Sequence, residues 1–189
     1  MTRSSPLMLV GLTGRNASGK TTVIEWLKAH GFGVNSCSDS IRHWLRSNGR
    51  EINRDNLIDG GRKLRAMGGP GILAEMLLDR IGESGNHAVD SIRTPAEVEA
   101  LRKRDDFIMI EIRTSREVRW ERLLARGRTG DAENFEQFVE QEESELVAHD
   151  ESGQALIATA EMADMVILNN GDVDDLHSQL QALIVSFAE

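Results

Sequence analysis

Eight consecutive residues, Gly14-Arg15-Asn16-Ala17-Ser18-Gly19-Lys20-Thr21, satisfy every fixed position of the pattern G-x-x-x-x-G-K-[ST]. Residues of these types at this spacing can bind a polyphosphate. Gly14 and Gly19 let the main chain curl, so that the N–H groups of the intervening Asn16, Ala17 and Ser18 face inward around an anion. A helix opening near Lys20 adds the positive end of its dipole. The Lys20 ammonium reaches the β- and γ-phosphates, the Thr21 hydroxyl is a ligand for Mg²⁺, and Thr22 adds a contact to the α-phosphate. A nucleoside triphosphate with Mg²⁺ is the ligand expected at this loop.

Other charged residues fall just past short apolar runs, where ligands gather in an open α/β sheet. Asp39, in Ser38-Asp39-Ser40-Ile41-Arg42, either caps the following helix or faces a γ-phosphate, where it orients an acceptor hydroxyl and takes its proton. Arg42, one turn on, is placed to hold an anionic group of the acceptor. Asp90, in Ala88-Val89-Asp90-Ser91-Ile92-Arg93, suits Mg²⁺ binding through water. Arg93 is either a second anchor for the acceptor or a surface arginine. Arg119, Arg122 and Arg126 recur at helical spacing, followed by Gly127 and Arg128. Arg119 reads as a solvated helix position. Arg126 and Arg128 flank a flexible point and read as a lid, spanning about residues 122–150, whose cations neutralise charge on a transferring group.

The elements that must position these groups can be read from hydrophobic spacing. Five apolar runs, Leu7–Leu12, Phe32–Asn35, His87–Ser91, Phe107–Ile112 and Met165–Asn169, are expected strands. The first, fourth and fifth are nearly continuous, as in strands covered on both faces. Helical spacing fills the intervals, with Gly31, Asn48-Gly49 and Gly82 as stops. Thr94-Pro95-Ala96-Glu97 and Thr114-Ser115-Arg116-Glu117 each carry the spacing of a capping box. Acidic Phe135–Leu146 and apolar-spaced Val173–Phe187 read as further helices, and Trp26, Trp44 and Trp120 as packing residues. Strands alternating with helices imply a parallel sheet in one α/β domain over residues 1–189.

Composition narrows the function classes. The chain has 189 residues, 40% hydrophobic and 28% charged, which suits a folded globular domain. All 22 Lys and Arg lie in residues 1–128, whereas residues 129–189 hold 15 acids and no Lys or Arg. With a net charge of −9 and an acidic C-terminal third, a nucleic-acid partner is not expected. No run is long and apolar enough for a membrane helix, and the single Cys37 forms no internal disulfide, so a cytoplasmic location is expected. No Asn is followed by Lys, as a guanine-specific N-K-x-D motif requires, and the length leaves no room for the extra helical domain of a ring ATPase.

Taken together, Gly14–Thr22, Ser38–Arg42, Asn56–Ile58 with Gly69–Ala74, Asp90–Val98, Arg122–Arg128 and Ala163–Gly171 resemble the nucleoside monophosphate kinase-like P-loop proteins. The resemblance is to the dephospho-CoA kinase-related branch, which includes the P-loop domain of some deoxycytidylate deaminases. It implies a three-layer P-loop NTPase fold, with a five-stranded parallel sheet ordered 2-3-1-4-5 and a helical lid after the fourth strand. It further implies ATP on Gly14–Thr22 with adenine near Asn170 and Gly171, and an acceptor held between Asp39, Arg42 and Arg93. The expected activity is Mg²⁺- and ATP-dependent phosphoryl transfer to a small molecule, a nucleotide or nucleotide-like metabolite. A dephospho-CoA kinase, or a nucleotide sensor with little turnover, are the alternatives.

Overall fold

In a computed structural model, residues 7–127, 132–146 and 155–188 are described. Strands β1 (Leu9–Thr13), β2 (Gly33–Ser36), β3 (His87–Asp90), β4 (Phe107–Arg113) and β5 (Met165–Leu168) form one sheet in the order β2-β3-β1-β4-β5. Every pairing is parallel, and the register sets Leu9 opposite both His87 and Phe107. Helices α1 (Lys20–Ala29), α2 (Cys37–Ser47), α3 (Arg54–Gly68), α4 (Ile72–Ile81) and α5 (Pro95–Leu101) connect the first four strands. Helices α6 (Arg116–Arg126), α7 (Phe135–Leu146) and α8 (Leu156–Glu161) lie between β4 and β5, and α9 (Val173–Ala188) closes the chain.

The period of two along each strand divides the core into two layers. Leu9, Val89, Phe107 and Met109 pack with Ile41, Leu45, Leu64, Leu73, Leu77 and Leu101 from α2 to α5. Val10, Leu12, Ala88, Ile110, Ile112 and Ile167 face the other way, onto Val23 and Leu27 of α1 and Leu176, Leu180 and Leu183 of α9. β1 is buried at all five positions, as a central strand covered on both faces must be. β5 departs from the expectation for a continuous apolar run. It is an edge strand in which Val166 and Leu168 are exposed and Ile167 is buried.

Helix starts differ from the sequence reading in informative ways. α2 follows β2 without a loop, because Ser36 caps it and the Asp39 carboxylate accepts from Ser36 N at 2.9 Å, a reciprocal capping box. At α5, Thr94 Oγ1 accepts from Glu97 N, whereas Glu97 Oε2 reaches one residue further back, to Arg93 N at 3.0 Å. At α6 the cap is Ser115 rather than Thr114. Thr114 Oγ1 instead shares its single proton between the carbonyls of Ser18 (3.0 Å) and Asn169 (3.1 Å). The short α8 had no signal in the sequence.

Arg119 is not the solvated helix residue its spacing suggests. It is 1% exposed and ion-paired with Glu142 of α7. Its Nη2 donates to Glu142 Oε2 at 3.2 Å, and its Nε donates to Thr114 O at 3.0 Å. Arg116 Nε (3.2 Å) and Arg15 Nη1 (3.9 Å) approach the same carboxylate. Burial, followed by the neighbouring Arg15 and Arg116 charges, pulls the Arg119 guanidinium down to about 10, still protonated at neutral pH. Trp120, Phe135 and Phe138 pack beside this pair, so α7 is fastened to α6 by charge and by aromatic contact. Glu142→Gln leaves the buried guanidinium without its counter-charge. The expected cost is about 3–5 kcal/mol of stability, read from urea unfolding. A loss below about 1 kcal/mol would show that water already shares the site.

Candidate functional site

β1 runs directly into the glycine-rich loop, and α1 leaves it at Lys20. No side chain caps α1 (Gly19 precedes it in a left-handed conformation, φ 100°), so the positive end of its dipole meets a ligand without an intervening cap. Ala17 is also left-handed, with φ 59°, a strain concentrated where the loop curls. The loop is held from behind. Asn169 Nδ2 donates to Ser18 O at 2.8 Å, and Thr114 Oγ1 donates to the same carbonyl at 3.0 Å. Any side chain at Gly19 would run into the Asn169 amide, so glycine is required there for space as well as for conformation. Lys20 Nζ donates to the carbonyls of Gly14 (2.6 Å) and Arg15 (2.9 Å).

Above the loop lies a cavity of about 510 Å³. Gly14, Asn16, Ala17, Ser18, Gly19, Lys20 and Thr21 line one side, and Asp90 to Arg93 and Leu156 line others. Arg122 and Arg126 reach it from α6. Arg126 Nη2 donates to Asn16 Oδ1 at 3.2 Å, and Arg122 Nη2 lies 3.4 Å from Asn169 Oδ1 and 3.3 Å from Gly171 O. Arg128, expected in the lid, lies outside the described residues. Thr22 is half-buried on α1 and does not line the cavity. Neither do Asn170 and Gly171. The Asn170 side-chain oxygen Oδ1 accepts from Ser115 N at the start of α6 (2.8 Å), which occupies the group expected near adenine.

A second cavity of about 500 Å³ adjoins the first, and the two share Asp90, Ser91 and Arg93 as a common wall. Asp90 Oδ1 is buried there without a hydrogen-bond partner, and Ser91 takes a left-handed φ of 60°. Arg42 and Arg93 line this second chamber. Asp39 does not. Its two oxygens are taken by Ser36 N and, at 3.1 Å, by Arg42 Nη1, so the capping reading describes its position and the carboxylate facing both chambers is Asp90. Arg65 of α3 and Glu97 of α5 were not singled out as ligand-facing groups, yet both line the chamber. Glu97 had been assigned to capping, and Arg65 carries no local signal except Gly61, one turn earlier on the same helix.

Comparison with known proteins fits this geometry. Residues 10–148 match the family model described as an AAA domain. The chain belongs to that family. It is also 30% identical, over 182 residues, to a UPF0200 protein of Methanocaldococcus jannaschii, covering 94% of this chain and 89% of the relative. A UPF0200 protein of Methanothermobacter thermautotrophicus is 30% identical over 186 residues, covering 97% and 92%. Among solved structures, a Thermus thermophilus protein superposes with a TM-score of 0.63 at 18% identity, covering 95% of this chain and 97% of that one. A shikimate kinase from Acinetobacter baumannii, in complex with shikimate, gives 0.56 at 20% identity, covering 96% and 95%. This AAA domain therefore has the sheet order and the helix placement of P-loop kinase folds. No helix among the described residues is long and apolar enough to cross a membrane.

Two outcomes follow from the site geometry. Gly19→Ala is expected to weaken ATP binding by about tenfold or more and to lower stability by about 1–3 kcal/mol, because the loop must deform against Asn169. Calorimetric titration and thermal unfolding measure both. Burial raises the Glu97 carboxyl above its ordinary 4.5, with Arg65 and the Arg93 amide opposing that shift. The folded state thus holds the Glu97 proton more tightly than the unfolded state. Its stabilising contribution is present below pH 4.5 and is lost as pH rises through the folded value. Glu97→Gln removes that loss, so the variant gains stability relative to the parent between pH 4 and pH 7.5. Parallel denaturation curves at the two pH values contradict this account if the difference between the proteins stays constant.

Proposed function

We propose that this AAA domain is a Mg²⁺-dependent phosphotransferase that moves the γ-phosphoryl group of ATP to a small-molecule acceptor, a nucleotide or nucleotide-like metabolite on the sequence resemblance. The observation that carries this reading is the shared wall. Two adjoining chambers of similar size meet at Asp90, Ser91 and Arg93, one above the phosphate loop and one open for a second ligand. A protein that only senses a nucleotide has no need of the second chamber.

The triphosphate lies along the loop N–H groups, and Lys20 exchanges its two carbonyl partners for phosphate oxygens. Arg122 and Arg126 come from α6 and neutralise charge on the transferring group, with Arg128 as a further candidate from the sequence. The residues present suit Mg²⁺. Asp90 Oδ1 is a buried carboxylate oxygen without a partner, and Thr21 lines the same cavity. The Asp90 and Thr21 oxygens, together with substrate phosphates, would hold an Mg²⁺ ion, which would supply neutralisation of phosphate charge. Asp90 faces the second chamber as well, and there it orients the acceptor hydroxyl and receives its proton. Arg42 and Arg93 hold the acceptor. Asp39 fixes Arg42 by their ion pair.

Lys20→Ala is expected to weaken ATP binding by at least about tenfold and to abolish transfer. Asp90→Asn, which removes a carboxylate from both the Mg²⁺ site and the acceptor chamber, lowers kcat by about a hundredfold or more at saturating ATP and Mg²⁺. ADP release coupled to a spectrophotometric signal, over nucleoside monophosphates, nucleosides and dephospho-CoA, measures both. Tight ATP binding without any acceptor response would favour a sensor over a kinase.

A further inference from the structure

The lining of the second chamber says more about the acceptor than its size does. Cys37, Ile41 and Leu73 supply apolar wall, and the polar face is dominated by Arg42, Arg65 and Arg93. Arg42 is engaged at the rim, donating to Ser38 Oγ at 2.7 Å and to Asp39. Arg65 is not engaged in that way. Its Nε is buried without a hydrogen-bond partner, and its contact with Glu97 Oε1 is 3.8 Å, too long for a hydrogen bond. The side chain is about one-fifth exposed, so its outer nitrogens still reach water, whereas the buried Nε is a donor left unused until an anion meets it.

The surrounding chain keeps that donor face clear. A Cβ at Gly61 would stand 3.3 Å from Arg65 Nη1 and 3.2 Å from Ile41 Cδ1, so the glycine makes room for the guanidinium beside α2. Glu97 is a weak competitor, because its other oxygen accepts from Arg93 N and burial disfavours its ionised form. Among the described residues, the chamber lining includes no aromatic ring to stack on a nucleobase and no side-chain amide to read its edge.

We infer that the acceptor is a compact hydroxylated anion, a hydroxy acid or a phosphorylated polyol, and that Arg65 selects it by bidentate contact with its anionic group. This rests on the phosphotransfer reading and departs from the nucleotide acceptor that the sequence resemblance suggests. In the step, the acceptor hydroxyl oxygen bonds to the γ-phosphorus as the bond from that phosphorus to the β–γ bridging oxygen breaks. ADP leaves with that electron pair, and the hydroxyl proton passes to Asp90 and then to solvent. Arg65 anchors the far end of the acceptor and leaves its hydroxyl at the shared wall.

The test is an ADP-release assay on the full chain with ATP and Mg²⁺. The acceptors are hydroxy acids, sugar phosphates, the matching neutral polyols, nucleosides, nucleoside monophosphates and dephospho-CoA. A hydroxylated anion is expected to exceed its neutral counterpart in kcat/KM by about a hundredfold, and the carboxylate and phosphate arms identify which anion is used. Arg65→Ala raises KM for that acceptor by about tenfold to a hundredfold and leaves the calorimetric Kd for ATP unchanged. Arg65→Lys, which retains charge but not the fork, falls between the two and serves if the alanine variant does not fold. A nucleoside, a nucleoside monophosphate or dephospho-CoA as the best acceptor, or an unchanged KM in both Arg65 variants, overturns the inference while phosphotransfer stands. If no acceptor raises ADP release while ATP binds normally, the phosphotransfer reading fails, and this inference with it.

Discussion

The carbonyl of Ser18 accepts hydrogen bonds from two side chains, Thr114 from beyond β4 and Asn169 from beyond β5. The rest of the site depends on this junction. A loop of small residues has little reason of its own to keep one shape, and Gly14 and Gly19 add freedom. Two donors on one buried oxygen remove that freedom, and they come from the ends of strands that pair in register on one side of β1. The sheet order is thus more than architecture. It brings segments about 100 and 150 residues away from the loop in sequence to its rear surface, so that the binding geometry exists before the ligand arrives.

Charge is organised around the same framework. The C-terminal third carries no Lys or Arg, yet its acids are not only a solvated face. Glu142 turns inward and draws Arg119, Arg116 and Arg15 to one carboxylate, which ties α7 to both α6 and the phosphate loop. Arg122 and Arg126, on the same helix as Arg119, are directed instead to Asn169, Gly171 and Asn16 around the loop. One helix therefore has two sets of arginines with different tasks. Arg119, buried, and Arg116, half-exposed, pair with Glu142, and the other set faces the cavity above the loop.

What could be read from the sequence follows how local each feature is. The phosphate loop was legible because the chemistry needs contiguous residues between a strand and a helix. The sheet order was carried by the family resemblance, and every crossover is right for it. Arg119 was misread because helical spacing cannot reveal a partner 23 residues away on another helix. Asp39 looked equally able to cap or to react, and the hydrogen bond from Ser36 N shows the cap. The second chamber is assembled from β2, α2, α3, α4, α5 and the end of β3, with one or a few residues from each, so no window of sequence contains it. Arg65 illustrates the point. It sits in an ordinary polar helix, and its distinction is that one of its donors has nothing to bind.

The thin partition formed by Asp90, Ser91 and Arg93 has a consequence for ligand design. Because both chambers open on it, a single molecule joining an adenosine polyphosphate to an acceptor through a short phosphate bridge could occupy them together. Tethering makes the second half's association intramolecular, so its affinity reflects local concentration rather than bulk concentration. The bridge length giving the tightest complex would act as a ruler for the gap across which the phosphoryl group must travel.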